Sequence, residues 1–244
     1  MFNLSIALKS QSASFRDPLF QNFHKSLTLP PPTTLIGIAG AAMGLSPKMA
    51  QDFFDEFDFQ CGAQGTHDGK VSDLWKYNKR TKNLHLYHPD WENGGLLKRE
   101  YLIDYTLTIC YATNNEEAFN KIHNGFISPY FALTLGNSDS LAKISKVTTD
   151  LEIAETNTFN HCIIGGNVID RVMKKASTNC NFSIYSSSEP ITYDLPVRFK
   201  YTKDYGKRSI AEVSTFSFIS NEMKLNYPIA SVKYNGNNIP LFKL

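Results

Sequence analysis

Apolar and polar side chains alternate at the start of the chain. Phe2, Leu4, Ile6 and Leu8 are set against Asn3, Ser5, Ala7 and Lys9, the period-two pattern of a half-buried strand and not of a leader peptide. The pattern breaks at Pro30, Pro31 and Pro32, after which an apolar run extends from Leu35 to Leu45. The prolines end whatever precedes them and make Thr33 or Thr34 the expected N-cap of a helix. Gly37, Gly40 and Gly44 then fall at i, i+3 and i+7 on one helical face, where each costs up to about 1 kcal/mol relative to alanine. Close packing on a sheet, or close approach of a ligand, would offset that cost. The run is eleven residues long, well short of the roughly 20 that a membrane span needs. It also lacks GxxxxGK[ST], and its glycines lie along the helix instead of ahead of it, which excludes a Walker loop and a dinucleotide fingerprint.

Residues 47–100 begin acidic, turn basic and aromatic, and read as strand material broken by turns at Asp68-Gly69 and Asn93-Gly94-Gly95, an extended hairpin or flap. From Tyr101 to Tyr111, Tyr105, Leu107, Ile109 and Tyr111 share one face and Thr106, Thr108 and Cys110 the other, a strand. Thr113-Asn114-Asn115-Glu116 has the form of a capping box for a helix carrying Ala118, Phe119 and Ile122 and stopped by Gly125. Residues 130–135, YFALTL, supply a further strand ending at Gly136. Strand, helix, two strands, helix, strand is the split βαβ order of a ferredoxin-like, RRM-like α+β domain, although the aromatic signature of the ordinary RNA-recognition motif is missing. Beyond about residue 145 helical periodicity fades. TYDLPVRFKY and RSIAEVSTFSFI form an expected hairpin, and ASVKY meets IPLF across Asn235-Gly236. The expected layout is a ferredoxin-like domain over 1–145 that carries the hairpin or flap, then a mostly β region over 146–244, as a second domain or an appendage on the first.

Composition changes this picture little. With 244 residues, 42% of them hydrophobic, a sizeable core needs no staples, and a net charge of +2 confines any nucleic-acid site to a local patch. Four widely spaced cysteines without a CxxC pair favour reduced thiols in a cytoplasmic protein, with no metal and no cofactor expected. No hydrolase or metalloenzyme motif occurs. Of six histidines, only His24-Lys25 and His85/His88 are spaced to serve metal-free RNA cleavage. In the flap, Lys70, Lys76, Lys79, Arg80, Lys82, Lys98 and Arg99 interleave with Trp75, Tyr77, Tyr87, Trp91 and Tyr101, the mixture that joins phosphate neutralisation to base stacking, or else a solvated hairpin or one that meets protein. Arg16 in SFRDP could grip a phosphate or pair with Asp17, and Gly136-Asn137-Ser138 could be an anion-binding turn or a plain one.

Taken together, the opening strand, SFRDP, LPPPTTLIGIAGAAMGL, LLKREYL and YFALTLGNSDSLAKI resemble the Cas-five family of CRISPR-associated proteins, members of the RAMP superfamily. The resemblance runs through most of residues 2–145 and is most specific at the glycine helix and the LGNSDSLAKI turn. It implies a non-catalytic subunit of a type I Cascade complex in antiviral defence that holds the repeat-derived 5′ handle of the guide RNA. It also implies as neighbours the backbone subunit and the large subunit, contact with target DNA only through the complex, and no membrane. In the family a β thumb inserted in the palm covers RNA, which maps to roughly 60–98 here. The glycines would then let the helix pack on the palm sheet while Thr33-Thr34 faces the handle. One branch of the family cuts the guide precursor with a tyrosine and an adjacent lysine-histidine pair, but no Lys-His dipeptide occurs in this chain. The expected RNA-binding residues are Arg16, Thr33, Thr34, Lys76, Arg80, Lys98, Arg99, Asn137 and Ser138, with no catalytic residue. The competing expectation is a metal-independent endoribonuclease built on His24 or His85/His88.

Overall fold

The computed structural model describes residues 1–20, 23–78, 94–179, 185–186, 188–204 and 207–243. The first half contains β1 (Phe2–Ala13), β2 (Phe15–Arg16), β3 (Phe23–His24), β4 (Ser26–Leu27), α1 (Pro32–Met43), α2 (Pro47–Glu56), β5 (Gln60–Thr66), β6 (Gly69–Asn78), β7 (Gly94–Thr113) and α3 (Glu116–Ile127). There follow β8 (Lys143–Thr149), β9 (Ile153–Phe159), β10 (Cys162–Gly165), α4 (Val168–Asn179), β11 (Tyr185–Ser186), β12 (Ile191–Tyr201), β13 (Arg208–Ile219), β14 (Met223–Tyr234), β15 (Asn237–Pro240) and β16 (Phe242–Lys243).

The centre of the molecule is an antiparallel run β5-β7-β1-β8, with the crossover order that the split βαβ pattern requires. Leu4 pairs with Tyr111 and Ile6 with Ile109, so the alternation read from β1 and β7 meets in register and fills one face. Against that face lie Leu35, Ile38, Ala39 and Ala42 of α1, Phe54 of α2, and Ile122 and Phe126 of α3, all buried. One end of the opposite face is covered too, where Cys110 and Ala112 pack with Val232 and Tyr234 of β14, Ile239 of β15 and Leu241 just beyond it, while Lys9 and Thr106 on the same face are exposed. Strands β10, β13 and β12 extend the same sheet beyond β5 and share one ten-stranded sheet with β8 among the described residues, while β9, β11, β14 and β15 form a separate four-stranded sheet. Burial pushes the Cys110 thiol up to about 12 and the Cys61 and Cys162 thiols up as well, holding them protonated. Among the described residues no helix is long and apolar enough to cross a membrane.

Several elements differ from the sequence expectation. The N-cap of α1 is Pro31, with Pro32 at the first helical position, where its fixed φ suits the helix and its missing N–H costs nothing; Thr33 and Thr34 sit inside the first turn. The glycines of α1 do not face the sheet. A Cβ on Gly40 would lie 2.6 Å from the Ala50 Cβ of α2, and Gly44 ends the helix at φ +71. Residues 47–56 are helical, capped by the Ser46 hydroxyl, which accepts from the Met49 N–H. Asn115, not Thr113, caps α3, and that helix runs through Gly125, whose missing side chain admits Met43 and Ala42 of α1. YFALTL is not a strand: its ladder pairing is one isolated bridge from Thr134 to Leu141, and the fourth central strand is β8. The C-terminal half holds a helix, α4. Gln60–Thr66 belongs to the central sheet, and among the described residues the hairpin consists of β6 paired with Gly94–Ile103 of β7. Asp104, at φ +49, marks where β7 exchanges β6 for β5 as its partner.

Candidate functional site

Two buried tyrosines of β7 fix the polar end of α1. The Tyr111 hydroxyl donates to the Leu35 carbonyl at 2.7 Å and the Tyr105 hydroxyl to the Thr28 carbonyl at 2.9 Å. The segment that leads into the helix is thereby tied to the sheet, and a groove opens above it with a volume of about 560 Å³. Ser14 and Arg16 form one side; His24, Pro31, Thr33, Thr34 and Arg99 lie along it; Gly136 and Asn137 enter from the α3–β8 connection, and Leu195, Phe199 and Arg208 from β12 and β13. Arg16 points out because its neighbour Phe15 is buried against the edge of Tyr105 and pairs with Leu27. Asp17 is turned away: its buried carboxylate accepts from the Leu19 N–H, so the possible Arg16–Asp17 ion pair does not form. Parallel pairing of β3 with β7 puts His24 opposite Arg99.

The groove is strongly cationic for so neutral a chain. Among the described residues neither Arg16, Arg99 nor Arg208 makes an ion pair. Arg99 instead lies 4.3 Å from the centre of the Trp75 ring, and Arg208 lies 4.3 Å from that of Phe199, contacts that orient a guanidinium without neutralising it. Nη2 of Arg99 is 3.4 Å from Nδ1 of His24 and can only donate, which favours the imidazole tautomer protonated at Nε2. Burial, then Arg16, then Arg99 hold the His24 pKa below its ordinary 6.5. At the helix start the Thr34 and Leu35 N–H groups both donate to the Pro31 carbonyl, leaving the Thr33 amide as the available backbone donor of that turn.

Five of the nine residues singled out from sequence meet in this groove: Arg16, Thr33, Thr34, Arg99 and Asn137. The Asn137 amide donates to the Tyr101 hydroxyl at 3.1 Å, and its carbonyl accepts from the Ser140 N–H, closing the turn. Ser138 turns elsewhere, toward the Asp139 carboxylate at 3.3 Å. Lys98 is exposed, its ammonium 5.6 Å from the Phe23 ring centre. Lys76 is exposed on β6 opposite Leu96. Arg80, His85 and His88 lie outside the described residues. The sequence reading did not place Phe199 and Arg208 here. Their only local signal is membership of a hairpin, and it is the extension of the sheet by β12 and β13 that brings them over α1.

A protein-family model described as "CRISPR-associated protein (Cas_Cas5)" matches residues 4–210, a span that contains every groove residue. No curated protein matches the chain. Among solved structures, a chain of a "CRISPR RNA-guided surveillance complex" is similar at a TM-score of 0.54 and 14% identity, covering 93% of this chain and 91% of that one. A chain of a Type III-B Cmr-beta complex bound to cognate target RNA and AMPPnP is similar at a TM-score of 0.50 and 12% identity, covering 92% and 86% respectively. A CRISPR protein from Archaeoglobus fulgidus aligns over 100% of both chains at 10% identity with a TM-score of 0.44. At these identities the first two likenesses are likenesses of fold.

Proposed function

The chain belongs to the Cas5 family of CRISPR-associated proteins, and from that premise we propose that it is an RNA-binding structural subunit of a type I Cascade surveillance complex. It holds the 5′ handle of the guide RNA in the arginine groove, beside the backbone and large subunits, and takes part in target-DNA capture through them. The observation that carries this reading is three arginines, none with an acidic partner among the described residues, lining one open groove together with Thr33 and Thr34. Such an arrangement suits the phosphates and sugars of a single strand. The β6–β7 hairpin is the thumb on this reading, and Lys76 and Lys98 extend the interaction along it.

The direct test is the affinity of the purified full chain for a repeat-derived 5′ handle oligonucleotide across a salt series. Tight, salt-dependent binding supports the reading, and binding no tighter than to an unrelated strand of equal length contradicts it. His24 adds a pH signature. In the free protein its lowered pKa means that the unfolded chain binds more protons below 6.5, so the His24 contribution to stability is present above that pH and is lost as pH falls. A phosphate in the groove reverses the local field and favours the imidazolium. Handle affinity is therefore expected to rise as pH falls from 7.5 through 6.5, by less than about tenfold per pH unit for one proton taken up, and His24→Asn should remove the rise.

The same histidine supports a second reading, a metal-independent endoribonuclease. Held neutral beside two guanidiniums and lining the groove, it is suited to accept a proton from a ribose hydroxyl while they stabilise the developing charge. Incubating repeat RNA with the protein in EDTA separates the two, since the structural subunit returns intact RNA.

A further inference from the structure

The three glycines of α1 are not equivalent. Gly40 is required by the Ala50 Cβ and Gly44 by its φ of +71 and by the Tyr130 ring, 2.8 Å from where its Cβ would stand. Gly37 has no such reason. It is exposed in the middle of the helix, and a Cβ there would meet nothing within 4 Å, although alanine would favour the helix. The empty space is a slot of about 250 Å³, with Gly37 in its lining and Phe131, Phe199 and Tyr201 as aromatic walls. It shares Thr33, Phe199 and Arg208 with the arginine groove. The wall is held in place: the Gln51 side chain donates to the Phe199 carbonyl at 3.0 Å and accepts from its N–H at 2.8 Å, and Arg198 bonds Asp55 at 2.7 Å.

We infer that this slot takes one unpaired nucleobase of the strand held in the groove, laid against Gly37 and the aromatic walls while its phosphate stays beside Arg208. The inference rests on the RNA-binding reading above. An apolar, aromatic slot opening directly beside a guanidinium that makes no ion pair among the described residues fits a flat ring tethered to an anion, and a nucleotide is that combination. Its volume is below the ~300 Å³ at which pockets for drug-sized ligands begin, which suits one ring system and not several.

The test pairs Gly37 variants of the full chain with handle RNAs that each lack one base. Gly37→Ala and Gly37→Leu are both expected to fold, the alanine variant melting above the parent, because the added atoms enter open space. With the parent protein, removal of one particular base should weaken binding by about five- to a hundredfold, the range for loss of one stacked base. Gly37→Leu should weaken intact RNA by the same factor and make loss of that base cost nothing more, with Gly37→Ala showing a smaller effect in the same direction. Equal binding of intact RNA by the parent and Gly37→Leu overturns the slot and leaves the groove reading standing. So does a base-loss penalty that persists unchanged in the variant, or a variant impaired only in joining its partner subunits, which would make the occupant a protein side chain. Failure of the parent itself to bind handle RNA overturns both.

Discussion

Replacing Arg16, Arg99 and Arg208 together by alanine is expected to lower affinity for the handle RNA by about a thousandfold, on about 1.5 kcal/mol for each charge-assisted phosphate interaction. The slope of log affinity against log salt should fall by about two, since each phosphate of a single strand left without its cation removes about 0.7. The fold should tolerate the change. Among the described residues none of the three makes an ion pair, Arg16 and Arg208 are exposed, and the stacking of a guanidinium on Trp75 or Phe199 is worth about 0.5–1 kcal/mol in each case. A spectroscopic control belongs to the same variant. With Arg16 and Arg99 gone, two of the three causes that depress the His24 pKa vanish, so its NMR titration should move up toward the ordinary value. Unchanged affinity with a shifted His24 titration would show that the groove charges were removed and that RNA binds elsewhere.

Gly136→Ala is expected to have the largest effect on stability of any single methyl group added to a glycine among the described turns. Gly136 has φ of +96, and a Cβ there would stand inside the van der Waals envelope of the Ser14 carbonyl oxygen, which is backbone and cannot swing aside. The turn around it is closed on both sides: Ser14 N–H donates to Leu135 O, Leu135 N–H to Ser140 O and Ser140 N–H to Asn137 O. The strain should cost about 3 kcal/mol and lower the melting temperature by roughly 6–12 °C. Because Asn137 enters the groove from this turn, handle affinity should fall with it. A melting curve that superimposes on that of the parent would contradict the geometry of the turn.

These two substitutions also show which parts of the molecule are legible in the sequence. Where one face of a strand is buried, period-two alternation writes itself into the residues, as in β1 and in Tyr105, Leu107, Ile109 and Tyr111 of β7. β5 is buried on both faces and lacks that rhythm. Its Gly62 and Gly65 look like turn residues, but each answers a close approach from elsewhere: a Cβ on Gly62 would stand 2.6 Å from the Pro240 carbonyl oxygen, and one on Gly65 2.8 Å from that of Thr106. The acidic face of α2 hides that helix, although Ser46-Pro47 carries an N-cap and first-turn signal, and YFALTL looks like a strand because Leu133 and Leu135 are buried from an irregular segment. Within the groove, Arg16, Thr33, Thr34, Arg99 and Asn137 are reached through local punctuation and the family resemblance together. Phe199 and Arg208 are not, since only the order of strands in the sheet delivers them to α1, and no local pattern encodes that order.

The central claim is that this chain is what secures the 5′ end of the guide in its complex. The direct measurement is to express it with the backbone subunit, the large subunit, the processing enzyme and a repeat–spacer transcript, then to sequence the RNA retained after a salt wash. The account predicts processed guides with a uniform repeat-derived 5′ end when the chain is present, and their loss when it is omitted or carries the triple arginine replacement. Guides recovered in equal yield and with the same 5′ end in its absence would contradict it.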